Sequence, residues 1–282
     1  MPSLTEACSR HVTAWEAIPE PFQPFIQDDR ALPYLIYSPS DTWGRHKVNA
    51  RLTMLSDQGV SILESTSGGV RVRKWTFTDI DYVEQGTVLL YSWLRLSGVV
   101  NGRLTAIQVE YNAAAEPLFT RLAQAVRMTW MGSGTGNMER DKENLFGLAA
   151  MNYKFGNYAR ESILRGVLAT VFQPEITKPF LIFFRRRLAA AYLCVLTDKE
   201  LIFLSNDNSE GAEDTSRYGV VRRYIPLTKI QGWKLESAAC NKTGIWRLEL
   251  PGELLTMHFS AQAQSSLLVL VSLLDEVQRE GE

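Results

Sequence analysis

The chain has 282 residues, 45% of them hydrophobic and 22% charged, with a formal net charge of −1. That length allows two ordinary domains, each with its own core. Balanced charge argues against a nucleic-acid partner, no apolar run approaches the ~20 residues of a membrane-spanning helix, and three scattered cysteines offer no disulfide framework.

Residues 1–24 hold Pro19, Pro21 and Pro24 and read as an irregular lead-in. A first unit follows over 25–127, with strands expected near 33–37, 48–56, 59–66, 70–77, 87–99 and 103–111. In the fifth, Val88, Leu90, Ser92, Leu94 and Leu96 alternate with Leu89, Tyr91, Trp93 and Arg95. Asn101-Gly102 can take positive φ at both turn positions and marks a hairpin. A helix is expected from about Asn112, with Pro117 in its first turn. Phe119, Leu122, Ala123 and Val126 share one of its faces.

Residues 128–170 read as a linker: a glycine-rich break at 132–137, then a connecting helix from about Glu139 to Leu164. A second unit covers 171–282, with strands expected near 180–185, 190–197, 200–206, 219–226, 231–237, 245–250 and 253–259. Residues 206–217 form a polar loop, and Ser260 stands as the N-cap of a last helix. Leu267, Leu270, Val271 and Leu274 make its apolar stripe. Leu268, Val269 and Leu273 lie off that stripe, which points to a second packing surface.

The two units repeat one another, roughly 140–150 residues apart. Residues 52–64 (LTMLSDQGVSILE) align without a gap on 193–205 (LCVLTDKELIFLS). Residues 33–37 match 179–183, and 75–80 match 225–230. Asp57 and Asp198 fall in the aligned turns, where each is expected to accept a backbone amide and close the turn. The fold class expected is mainly β with helices (α+β). Each unit has six or seven antiparallel strands, two sheets with an open corner, and an amphipathic C-terminal helix closing it.

Val195-Leu196-Thr197-Asp198-Lys199-Glu200-Leu201-Ile202-Phe203 resembles the strand–turn–strand of bacterial pleckstrin-homology-like (PH-like) and GRAM-like domains. Tyr224-Ile225-Pro226-Leu227-Thr228-Lys229-Ile230 is similar to the family's next element. The resemblance spans about 25–127 and 171–278, and the second unit fits better. The first departs at Ser56-Asp57-Gln58-Gly59 and at Thr76, which stands where the second has Pro226. The resemblance implies two split β-barrels, each capped by a helix. It also implies a mostly non-enzymatic protein that binds lipids or peptides, or self-associates.

The residues themselves offer no assembled chemistry. His11, His46 and His258 lack zinc spacing, so no metal or cofactor is expected. No catalytic residue is assigned; a spatial hydrolase triad would show itself as a deep polar pocket containing a histidine. Asp79, Asp81 and Glu84 read as a solvated acidic face. Basic clusters give the candidate ligand-binding residues: Arg185, Arg186, Arg187, Arg222 and Arg223 in the second unit, and Arg71, Arg73 and Lys74 in the first. Converging on one concavity, they would hold a phosphate or carboxylate. Dispersed at strand ends, they would instead block edge-to-edge aggregation. Trp75, Trp93, Trp233, Trp246 and Cys194 read as core.

The expected function is a cytoplasmic, non-catalytic scaffold that binds protein partners or itself, with no nucleic acid. The alternative is a peripheral binder of anionic lipid headgroups.

Overall fold

The computed structural model describes residues 8–26, 32–43, 46–132, 152–179, 185–206, 219–236 and 243–280. It is mainly β with a few helices. The chain divides into two compact units: residues 1–80 with 89–129, and residues 81–88 with 130–282.

The strands up to residue 112 are β1 (Arg10–Val12), β2 (Tyr34–Ser38), β3 (Asp41–Trp43), β4 (His46–Val48), β5 (Arg51–Ser56), β6 (Gly59–Thr66), β7 (Gly69–Thr76), β8 (Ile80–Val88), β9 (Tyr91–Val100) and β10 (Arg103–Asn112). In the first unit, β1-β2-β5-β6-β7 form one antiparallel sheet. Both of its faces are covered, which explains the near-continuous apolar runs. Leu35, Leu52 and Leu63 join Val12, Ile18, Phe22 and Ile26 in one cluster. Their strand neighbours Ile36, Thr53 and Ile62 point the other way and are buried too. The lead-in is therefore ordered from Arg10: β1 and two 3-10 turns, at 15–17 and 20–25, cover that sheet face. Pro21 suits the start of the second turn, where its missing N–H would have gone unpaired anyway.

β9 and β10 form the expected hairpin, with Asn101 at φ 52° and Gly102 at φ 73°. Asn112 Oδ1 accepts a bond from the Ala114 amide and starts the closing helix α1 (Glu116–Met131). Phe119, Leu122, Ala123 and Val126 are buried, and Tyr111 stacks on Phe119 with ring centroids 3.9 Å apart. Arg51 ties β5 to β10, donating to Gln108 O and Glu110 Oε2 while also pairing with Glu64.

The second unit adds α2 (Tyr153–Ser162), β11 (Val167–Gln173), β12 (Ile176–Pro179), β13 (Arg185–Ala189), β14 (Tyr192–Thr197), β15 (Glu200–Ser205), β16 (Val220–Pro226), β17 (Gly232–Glu236), β18 (Gly244–Glu249), β19 (Leu254–Phe259) and α3 (Ala261–Glu280). Within it, β8-β16-β15-β14-β11 run side by side, and β17-β18-β19 make a second sheet. Trp246, Leu248 and Phe259 from that second sheet meet Leu196, Leu201 and Ile225 from the first. Leu267, Leu270, Val271 and Leu274 of α3 close the same core. Each such side chain contributes about 1.5–3 kcal/mol of burial, before the entropy of ordering it. The sheets are open, not closed barrels.

The aligned hairpins share one register. Leu52 pairs Leu63 across β5–β6, and Leu193 pairs Leu204 across β14–β15. Both units then make a 3-10 turn, at 77–79 and 227–229, ending on buried Ile80 and Ile230.

Four expectations need correction. The strand expected over 87–99 is two strands, broken where Leu89 takes φ 55°. Asp81 and Glu84 are not solvated: they are 1% and 6% exposed on β8, paired with Lys229 and Arg223. The aspartates do not close the aligned turns; the preceding hydroxyls do. Thr197 Oγ1 accepts from the Lys199 and Glu200 amides and donates to Glu200 O, and Ser56 makes the same kind of contacts with Gln58 and Gly59. A hydroxyl can accept and donate at once, which a carboxylate cannot. Finally, Ser260 donates both its amide and its hydroxyl to Gln173 Oε1, so β11 anchors the start of α3. The first part of the expected connecting helix, and residues 207–218, lie outside the described residues.

Candidate functional site

Arg222 and Arg223 do not share a face. Successive strand residues face opposite ways. On β16, Arg222 is 5% exposed with its guanidinium 5.7 Å from the Tyr158 ring on α2. Its neighbour Arg223 turns to the other face. Arg223 Nε and Nη2 donate to Glu84 Oε2 at 2.9 and 2.6 Å, and its guanidinium lies 4.9 Å over Tyr82. Burial opposes its charge, but Glu84, Tyr82 and Glu253 more than compensate, so the group holds its proton more firmly than usual. Tyr82 in turn donates to Glu253 Oε2 at 2.8 Å.

Arg185, Arg186 and Arg187 lie on β13, paired with β12; Arg187 is half-buried, and the side chains of the other two lie outside the described residues. Arg71, Arg73 and Lys74 sit on the edge strand β7 of the first unit. Arg71 and Lys74 are exposed, and Arg71 approaches Glu64 at 4.0 Å. Of these residues, Arg223 lines a cleft.

That cavity is a cleft of about 340 Å³ in the second unit, between the β13–β16 region and β19. Leu188, Ala189, Ala190, Phe203, Val221 and Met257 give it apolar walls. Tyr192, Ser205, Arg223, Thr256 and His258 supply its polar groups. Sequence reasoning missed Tyr192, Ser205 and Thr256, because each sits in an ordinary strand pattern. Tyr192 is 5% exposed, and its hydroxyl is buried without a hydrogen-bond partner. Burial, with a smaller push from Cys194, raises its phenol above the ordinary value, so it stays a neutral donor.

His258 thus lines the cleft together with three hydroxyl residues, Tyr192, Ser205 and Thr256. Among the described residues, none hydrogen-bonds to its imidazole, so no nucleophile–base pair is assembled there. No group of three or more metal-ligating side chains occurs among the described residues. No helix among them is long and apolar enough to cross a membrane.

The chain matches no known family model and no curated protein.

Proposed function

We propose that the chain is a non-catalytic binding protein of two PH-like units, a scaffold that engages a protein partner or a second copy of itself. The PH-like reading draws support from the shared hairpin register, the matching 3-10 turns and the closing helix in each unit. The observation that carries the scaffold role is the outer face of α3. Leu268 and Val269 stand there 49% and 58% exposed, while the inner stripe of the same helix is buried. Adjacent exposed apolar residues on a helix that already has a full inner face fit a contact surface.

Light scattering over a wide concentration range tests this. Molar mass should rise with concentration, and the Leu268→Glu, Val269→Glu double variant should remain a monomer. A wild-type chain that is monomeric throughout removes self-association, and photo-crosslinking from position 268 then decides for or against a different partner.

A second reading, binding of anionic headgroups, is favoured by one observation: Arg71 and Lys74 are exposed on an edge strand. Co-sedimentation with anionic vesicles at low salt, lost in the Arg71→Ala, Arg73→Ala, Lys74→Ala variant, would support it.

A further inference from the structure

The fold uses only one edge of Arg223. A guanidinium offers two edges that a carboxylate can engage, one through Nε and Nη2 and one through Nη1 and Nη2. Glu84 Oε2 takes the first, at 2.9 and 2.6 Å. Nη1 makes no hydrogen bond and is not sealed from solvent, and the side chain keeps 28% of its surface exposed. The residue lines the cleft of about 340 Å³, a volume within the range of small-molecule sites.

The strand register sets a second donor beside it. Across β15 and β16, Phe203 pairs Arg223 and Ser205 pairs Val221. Alternate strand residues share a face, so these four belong to one sheet face, and all four line the cleft. Ser205 is then the diagonal neighbour of Arg223, roughly 7–8 Å away in such a ladder and within reach of a long side chain. The Ser205 hydroxyl and the His258 imidazole make no hydrogen bond, and neither is sealed from solvent. The Tyr192 hydroxyl is shielded and takes no part.

Charge narrows the ligand. Among the described lining residues Arg223 is the one permanent cation, and none is a carboxylate. A single negative charge can sit on the open edge without displacing Glu84. A phosphate monoester carries roughly −1.5 to −2 at pH 7 and would bring charge that no second cation answers. Leu188, Phe203, Val221 and Met257 offer the rest of the molecule an apolar bed.

We infer that this cleft binds a small monocarboxylic acid with an apolar body, its carboxylate held on the Nη1–Nη2 edge of Arg223 with the Ser205 hydroxyl as a further donor. The inference does not rest on the scaffold reading or on the PH-like assignment. It uses only groups within the second unit.

The test uses the full chain and two acids of different shape, octanoate and 4-phenylbutanoate. Each is titrated calorimetrically beside its uncharged amide, with inorganic phosphate as a fifth ligand. At least one acid should bind saturably, with Kd below about 1 mM, and about tenfold more tightly than its amide, as a charge-assisted hydrogen bond allows. The Glu84→Ala, Arg223→Met double variant removes the cation without stranding its partner, and should bind acid and amide equally. Ser205→Ala leaves that ion pair intact and should weaken the acid about fivefold. Thr256→Trp, a filler at an exposed strand position in the lining, should abolish binding while thermal melting confirms the fold. The inference is overturned if neither acid binds saturably, if acid and amide bind wild type equally, or if the preference persists in the double variant. It is equally overturned if Ser205→Ala leaves acid affinity unchanged, if binding survives Thr256→Trp, or if phosphate binds better than both acids.

Discussion

Thr197 and Asp198 are neighbours in one turn, and their side chains have opposite fates. The Thr197 hydroxyl makes three hydrogen bonds and is buried; Asp198 Oδ1 is buried without a partner. Thr197→Ala should therefore cost about 2 kcal/mol in a urea melt, because it strands two amides and a carbonyl. Asp198→Asn should change stability by less than about 0.5 kcal/mol. Equal losses in the two variants would refute this assignment of the turn. Titration gives a second residue-scale expectation. The Tyr192 phenol is raised above 10.0 and the Cys194 thiol above 9.0, both chiefly by burial. The unfolded chain thus gives up these protons first as pH climbs. Their stabilising effect is whole below pH 9.0 and is lost progressively above it, up to the folded-state values. The urea midpoint should fall on the alkaline side, and Tyr192→Phe should fall less than wild type. A variant that declines as steeply would show that Tyr192 does not contribute.

At the scale of elements, β8 is where the sequence misled most. Its run IDYVEQGTV mixes apolar and acidic residues without clean alternation, so Asp81 and Glu84 looked solvated. They are buried because their cations come from elsewhere in the chain, Lys229 and Arg223, which periodicity cannot show. The repeated hairpins and both closing helices were legible, because apolar spacing alone dictates them. The cleft was not: it is the space between strands, and an unpaired hydroxyl such as that of Tyr192 has no local signature. The Glu84–Arg223 pair makes a sharp prediction. Glu84→Ala should destabilise by about 2–4 kcal/mol, since it leaves a largely buried guanidinium uncompensated. Adding Arg223→Met should recover much of that loss. Additive losses in the double-mutant cycle would mean that the two charges are not coupled.

At the scale of the whole chain, the compact units do not coincide with the two sequence repeats. Residues 81–88 belong by sequence to the first repeat, yet they pair with β16 in the second unit. A fragment of residues 130–282 should therefore be aggregated or unfolded, with the edge of β16 bare. Grafting residues 80–88 onto its N-terminus through a flexible linker should restore a cooperative melt. A well-folded 130–282 fragment would contradict this division.

Synthesis on the ribosome makes that division a matter of timing. At ~5–20 residues per second, roughly seven to twenty-eight seconds separate the emergence of residue 88 from that of residue 226. During that wait the nascent segment lacks its partner strand β16. Its two carboxylates, Asp81 and Glu84, then act as gatekeepers against premature sticking, before they become the anchors that seat it.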